Sequence, residues 1–103
     1  MRTIRALAKH IAKKFNPEEI ILFGSYAYGK PQAWSDVDIL VVMDTPKGEL
    51  KTSLEILQSL PRITFSIDIL ARSRSLIKKR RKMGDRFIQE ITEKGKILYA
   101  RDN

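Results

Sequence analysis

The sequence contains no cysteine, a single histidine and no long uninterrupted apolar run. The absence of cysteine excludes disulfides and thiolate metal sites, and it agrees with a cytoplasmic location. No apolar stretch approaches the roughly 18–20 residues that a membrane-spanning helix needs, and the N-terminus lacks the apolar block and small-residue cleavage site of a secretory signal. We therefore expect a cytoplasmic protein that does not enter a membrane.

The length and composition are those of one folded globular domain covering residues 1–103. The net charge of +8 is unevenly distributed, because residues 71–103 hold 11 of the 20 basic residues but only 4 of the 12 acidic ones. A basic end suggests contact with an anionic partner such as nucleotide phosphates, nucleic acid or an acidic protein. A solvated helix face that only keeps the protein soluble is the alternative.

Hydrophobic periodicity predicts helices alternating with strands. The predicted strands lie in the segments EIILFGS, DVDILVVMD, RITFSIDIL and KILYA. The predicted helices cover residues 3–15, residues 48–60 with leucines at 50, 54, 57 and 60, the basic run KKRRK behind caps at Ser73 or Ser75, and DRFIQEITEKG, which begins near Asp85 and ends at Gly95. This order predicts an α/β (α+β) fold with a small mixed sheet and helices packed mainly on one face.

Three aspartates fall at matching positions of two predicted strands. Side chains alternate across a strand, so Asp36 and Asp38 point away from the apolar face of the second strand, with α-carbons about 6–7 Å apart at roughly 3.3 Å per residue. Asp68 has the same relation to the apolar face of the third strand. If the two strands are neighbours, all three carboxylates emerge on one side. Asp44 lies too far along the strand to join them and is predicted to be a turn residue.

Three packed carboxylates repel one another, and burial strengthens this repulsion. A hard divalent cation is the best compensation, because Mg²⁺ prefers carboxylate oxygens together with substrate phosphates. Two such ions would polarise a phosphoryl centre from both sides of an in-line displacement. The upstream glycine turn supports this interpretation, because Gly24 lets the backbone approach a ligand closely and Ser25 adds a hydroxyl.

The combined run GSYAYG (24–29), SDVD (35–38) and Asp68 closely resembles the motif of the minimal nucleotidyltransferases of the DNA polymerase β superfamily. That motif reads Gly-Ser-x-Ala-x-Gly, then Ser-Asp-x-Asp, then an aspartate on a third strand. The resemblance covers nearly the whole chain, including the closing FIQEITEKGKILYA. It implies a nucleotidyltransferase fold with a palm-like domain.

The resemblance also implies roles for individual residues. Gly24, Ser25, Lys30 and Ser35 would bind the nucleotide triphosphate. Asp36, Asp38 and Asp68 would be the catalytic residues and would bind two Mg²⁺ ions, with Asp68 helping to deprotonate the attacking hydroxyl. The reaction would transfer NMP from ATP or another NTP and release pyrophosphate. Relatives of this size are often antitoxins of helical HEPN-type toxins, and some add AMP to a toxin tyrosine.

The chain departs from many relatives at Tyr26 and Tyr28, where they carry arginine in the phosphate loop. Losing these cations weakens triphosphate binding unless Lys30 or the basic run 78–82 substitutes. We interpret both tyrosines as surface turn residues rather than base-stacking groups, and Trp34 as a packing residue rather than a wall of the nucleotide site.

Two other functions are compatible with the sequence. The chain could be an inactive antitoxin that neutralises its partner by binding alone, because the phosphate loop is altered. It could also bind nucleic acid through RSRSLIKKRRKMGDR as a secondary activity, although that run lacks interleaved aromatic residues and matches no base-reading motif.

Overall fold

The computed structural model describes residues 4–29, 31–32 and 35–102. Within them the helices are α1 (Ile4–Phe15), α2 (Ser25–Tyr28), α3 (Glu49–Ser59), α4 (Arg74–Lys82) and α5 (Arg86–Lys94). The strands are β1 (Glu19–Phe23), β2 (Val37–Val42), β3 (Ile67–Arg72) and β4 (Lys96–Ala100). Every predicted element is present, and the short α2 is an addition. No helix in these ranges is long and apolar enough to cross a bilayer.

Local signals in the sequence set the helix ends. The Ser73 hydroxyl accepts a hydrogen bond from the Leu76 N–H at 3.2 Å, and the Asp85 carboxylate accepts one from the Ile88 N–H at 3.1 Å. Each side chain thereby satisfies one of the N–H groups that a helix start leaves unpaired. Gly84 separates α4 from α5 with a φ of 87°, a conformation that glycine adopts without strain.

The sheet has the strand order β3-β2-β1-β4. β1 is antiparallel to both of its neighbours, whereas β2 and β3 are parallel. A parallel pair needs a crossover connection, and α3 supplies it. β3 begins only at Ile67, later than predicted, because Ile67 lies opposite Val37, the first residue of β2. The predicted mixed sheet is confirmed.

Helices cover both faces of the sheet. The larger core lies under α1 and α3, and its buried members from the sheet are Ile20, Leu22, Val37, Ile39, Val41, Ile69 and Ala71. A second core lies under α4 and α5, where Leu40 and Val42 of β2 are buried with Ile77, Ile88 and Ile91. The expectation that helices pack mainly on one face is therefore wrong. Beyond Asp38 both faces of β2 are apolar, so both need cover.

The leucines that mark the period of α3 do not form its buried face. Leu50, Leu54 and Leu57 are 74%, 45% and 40% exposed, whereas Thr52, Ser53 and Ile56 are buried. Small side chains at 52 and 53 let the helix approach β3 closely, and the Ser53 hydroxyl accepts a hydrogen bond from the Ala71 N–H at 2.9 Å. His10 is half-buried, with its Nε2 2.9 Å from the Ser59 carbonyl oxygen.

We predict that Ser53→Ala lowers the free energy of unfolding by about 1–3 kcal/mol, because it leaves the buried Ala71 N–H without an acceptor. Ser59→Ala is the matched control. Its hydroxyl donates only to the Ile56 carbonyl within its own helix, so we expect a loss below about 0.5 kcal/mol. Urea unfolding of the two variants measures both values, and equal losses would contradict the role assigned to Ser53.

Candidate active site

The pairing of β2 with β3 places Asp38 directly opposite Asp68. Opposite residues of neighbouring strands point to the same face, so both carboxylates lie on the face that α4 and α5 partly cover. Asp36 precedes Asp38 by two residues and is exposed, as is Asp68. The structure therefore brings together the two predicted acids from separate strands, with the third beside them.

Burial and neighbouring negative charge both act on the Asp38 carboxyl. Burial raises the pKa of the Asp38 carboxyl above its usual value, and the negative charges of Asp68 and then Asp36 raise it further. The carboxylate is only half-buried and keeps contact with solvent. Its ionised form is thus held in an unfavourable position that a nearby cation would relieve.

The three carboxylates are not close enough to one another to form a complete metal-binding site. Among the residues that the structure describes, no group of three acidic, histidine or cysteine side chains stands close enough to hold a metal ion. The donor set still fits Mg²⁺, since it offers carboxylate oxygens and leaves ligand positions for substrate phosphate and water.

Gly24 lies against the Asp38 carboxylate. It follows β1, whose last residue Phe23 pairs with Asp38, and it has a φ of 77°. A β-carbon built at this position would collide with Oδ2 of Asp38. Because Gly24 has no side chain, the glycine turn can contact the Asp38 carboxylate directly, as a phosphate loop beside a metal-binding acid requires.

The other predicted nucleotide-binding residues have different surroundings. Ser25 begins α2 directly after the glycine turn and is half-buried. The Ser35 hydroxyl accepts a hydrogen bond from the Gln32 N–H at 2.9 Å, which closes the loop ahead of Asp36. Lys30 lies outside the described residues, and so does Trp34.

Tyr26 and Tyr28 are not surface turn residues, contrary to our expectation. Tyr26 packs against the core under α1 and α3, and Tyr28 packs against the core under α4 and α5. The Tyr28 hydroxyl is buried and makes no hydrogen bond within the described residues. Burial raises the pKa of Tyr28, and the charges of Glu90 and Asp38 add to this effect. Both rings thus fix α2 to the sheet.

A cavity of about 220 Å³ extends the site along the same face of the sheet. Its floor includes Leu40 and Leu70, which follow Asp38 and Asp68 by two residues and so lie about 7 Å further along their strands. Arg72, Arg80 and the half-exposed Phe87 line its walls. Sequence reasoning included Arg72 and Arg80 in a basic run but did not name Phe87, because only the packing of α5 on this face selects it.

Replacing Asp38 by asparagine is expected to raise the thermal midpoint of the metal-free protein at neutral pH, by about a few degrees. A carboxyl whose pKa is raised on folding destabilises the folded state above that pKa and is neutral below its unfolded value. The gain should therefore fade as the pH falls through the folded pKa of Asp38. Thermal unfolding across pH tests this, with the exposed Asp44→Asn as control; a gain independent of pH would contradict it.

We predict that Gly24→Ala destabilises the protein more than Gly84→Ala. Both glycines have positive φ, which costs roughly 1–2 kcal/mol for alanine, but only at Gly24 would the new β-carbon meet another side chain. Part of the excess should disappear when Asp38 is also replaced by alanine; the rest is backbone strain, because the Gly24 conformation, with a φ of 77° and a ψ of −160°, is almost restricted to glycine. A double-mutant cycle in urea measures this coupling, and additive losses would show that the two residues do not share the space.

Comparison with known proteins agrees with this arrangement. The family profile described as polymerase beta, nucleotidyltransferase matches residues 6–103. The crystal structure of a Sulfolobus solfataricus protein provisionally assigned as a nucleotidyltransferase superposes with a TM-score of 0.65 at 19% identity, over 95% of this chain and 78% of that one. At this identity the second match is evidence for the fold alone.

A search of curated proteins finds no significant match. The family profile nevertheless spans nearly the whole sequence. The chain therefore belongs to the polymerase β nucleotidyltransferase family.

Proposed function

We propose that this protein is a Mg²⁺-dependent nucleotidyltransferase that moves NMP, most simply AMP from ATP, to a hydroxyl group of a partner protein. One observation carries this assignment: Asp38 and Asp68 lie side by side on parallel strands, with Gly24 packed against Asp38. The paired carboxylates are the acid centre, and the glycine turn is where a triphosphate would approach it.

The reaction is a displacement at the α-phosphorus of the nucleotide. The acceptor oxygen forms a bond to this phosphorus while the bond to the oxygen bridging the α- and β-phosphates breaks. Pyrophosphate leaves with the electron pair of that bond. Asp68, which is exposed and reachable by an incoming group, takes the proton of the acceptor hydroxyl.

Asp36, Asp38 and Asp68 would hold the metal, and their oxygens match its preference. When bound, Mg²⁺ would neutralise charge on the phosphates and make the α-phosphorus more electrophilic. The raised pKa of Asp38 supports this role, because a cation removes the repulsion that raises it. Without a metal, burial of the Asp38 carboxylate only opposes folding. With a metal bound, the same burial would strengthen the attraction between the carboxylate and the cation.

The positive charge missing from the tyrosine-bearing turn has a candidate replacement. Arg80 lines the cavity next to the acids with only a long ion pair to Asp85 at 4.0 Å, so its guanidinium could contact the nucleotide or the acceptor. The Arg72 guanidinium lines the same cavity but already donates to the Ala71 carbonyl and lies 3.9 Å from Glu49. Gly24 and Ser25 would bind the triphosphate, as the family motif suggests, with Ser35 holding the loop before Asp36. Lys30 remains a further candidate for phosphate binding.

The proposed acceptor is a tyrosine of a helical HEPN-type toxin, whose modification would make this chain an antitoxin. This follows from the likeness of its loop and acid motif to minimal nucleotidyltransferases. An antitoxin that acts by binding alone predicts the same partner but leaves it unmodified. The basic run on α4 is exposed and could add a secondary, salt-dependent affinity for nucleic acid.

Calorimetry with Mg-ATP should detect binding to the wild type and its loss in the Asp36→Asn/Asp38→Asn double variant. Asp68→Asn should bind Mg-ATP more weakly, because one metal-binding carboxylate is lost, and should transfer the nucleotidyl group about 10²–10⁴-fold more slowly, because it also lacks the proton acceptor. Asp44→Asn is the matched control for the loss of one carboxylate. Identical binding by the wild type and the double variant would count against catalysis.

Mass spectrometry of a co-expressed HEPN-type partner separates the enzyme from a binding-only antitoxin. The partner should gain the mass of one or more nucleotidyl groups with the wild type and none with Asp68→Asn. A partner that is neutralised but unmodified by the wild type would favour binding alone.

A further inference from the structure

β3 forms one edge of the sheet, and the orientation of its peptide groups can be read from two hydrogen bonds. The Val37 N–H donates to the Ser66 carbonyl at 2.9 Å, and the Met43 N–H donates to the Arg72 carbonyl at 3.0 Å. The even-numbered residues of this segment thus face β2. Because the N–H and C=O groups alternate in direction along a strand, those of residues 67, 69 and 71 face the open edge.

Only part of this edge is capped. At Ala71 the N–H donates to the Ser53 hydroxyl at 2.9 Å, and the carbonyl accepts from the Arg72 guanidinium at 2.8 Å. Within the described ranges, no hydrogen bond reaches the outward N–H and C=O groups of Ile67 and Ile69. These two residues flank Asp68, so the uncapped edge lies at the candidate active site.

The exposed leucines of α3 border the same edge. Together with residues 67–70 of β3 they line a groove of about 400 Å³, and Asp68 is one of the lining residues. Exposed apolar side chains that are contiguous along a helix are typical of a contact surface. The groove therefore joins an apolar surface, an unpaired strand edge and an acid of the candidate site.

We propose that this groove binds an extended segment of the acceptor protein, which adds a strand to β3 and places its reactive hydroxyl opposite Asp68. The inference rests on the proposed nucleotidyl transfer. Strand addition draws affinity from main-chain hydrogen bonds and specificity from alternating side chains. A helical partner would offer this segment from a loop or a terminal region.

The geometry of a sheet determines what such a segment must contain. The residue opposite Asp68 has its β-carbon about 4.5–5.5 Å from that of Asp68 and points to the acid-bearing face. Its two neighbours point to the other face, on which α3 packs, and so reach the leucines at 50, 54 and 57. The recognised pattern is thus a hydroxyl residue between two apolar residues.

A second copy of this chain fits the same edge poorly. Self-pairing through the outward groups of Ile67 and Ile69 in an antiparallel, twofold arrangement sets 67 opposite 69 and Asp68 opposite its own counterpart. Like charges directly opposite one another destabilise a strand pair, and each Asp68 already raises the pKa of its own Asp38. A partner with a neutral hydroxyl residue at this position avoids the repulsion.

The probe for this interaction is a short synthetic peptide with a central tyrosine between two valines, flanked by threonines and lysines. Amide NMR of the protein should show shifts and slower hydrogen exchange at Ile67 and Ile69 on titration. The same peptide with both valine nitrogens methylated lacks the strand donors and should produce neither effect.

Leu54→Lys should weaken peptide binding about tenfold, because it removes an apolar contact at the centre of the groove. Ile97→Lys is the matched control. Ile97 is exposed on β4, the opposite edge of the sheet, so this variant should bind the peptide like the wild type. An unchanged thermal midpoint in both variants verifies that the fold is retained.

Absence of peptide binding, or shifts concentrated on β4, would overturn the assignment. So would a concentration-dependent dimer that protects Ile67 and Ile69 without peptide, because a second copy would then occupy the edge. The Asp36→Asn/Asp38→Asn variant separates the two hypotheses, since it should bind the peptide through β3 even if the protein proves not to transfer nucleotides. If nucleotides are transferred to a partner and the amide signals of Ile67 and Ile69 do not change, the proposed activity stands but the groove is not the binding site for the acceptor.

Discussion

The parallel pairing of β2 with β3 imposes the electrostatic conflict at the centre of this protein. Its register is fixed by the core, because the odd-numbered residues of both strands are apolar and bury against α1 and α3. A slip of β3 by one residue would turn Asp68 into the larger core and Ile69 and Ala71 out of it, at a cost far larger than the repulsion between two partly solvated carboxylates. The hydrophobic core therefore holds Asp38 beside Asp68 although the two repel each other.

The glycine turn depends on the same register. Phe23 pairs with Asp38, so the turn that follows β1 arrives at the acid, and a residue without a side chain is required there. The second core completes the arrangement, since Tyr28 and the α4–α5 pair pack on the acid-bearing face and bring Arg80 and Phe87 beside Arg72 of β3. A chain of this size thus places a glycine turn, paired acids and guanidinium groups within one small area.

In the α3–β3 region, part of the sheet edge is hydrogen-bonded and part of it is exposed. Ser53 and the Arg72 side chain satisfy the edge at Ala71, whereas the edge around Asp68 stays open beside exposed leucines. Uncapped edges are sites of unwanted association, and a charged residue within the strand is one way of limiting it. Asp68 discourages self-pairing in this way, and the same residue is the proposed proton acceptor for a partner.

The helices, the strands and the sheet face on which each aspartate lies follow from the sequence alone, because periodicity, caps and glycine or proline stops act over a few residues. The sequence also predicted the mixed sheet, and a motif spread over three elements pointed to the family that the profile confirms. Four features became clear only from the folded chain. Helices cover both faces of the sheet, the leucines of α3 lie outward, both tyrosines pack inward, and Ile67 and Ile69 flank Asp68 on an open edge. These features depend on which surfaces meet across the sheet, and the leucine spacing of a helix is the same whether that face meets a core or water.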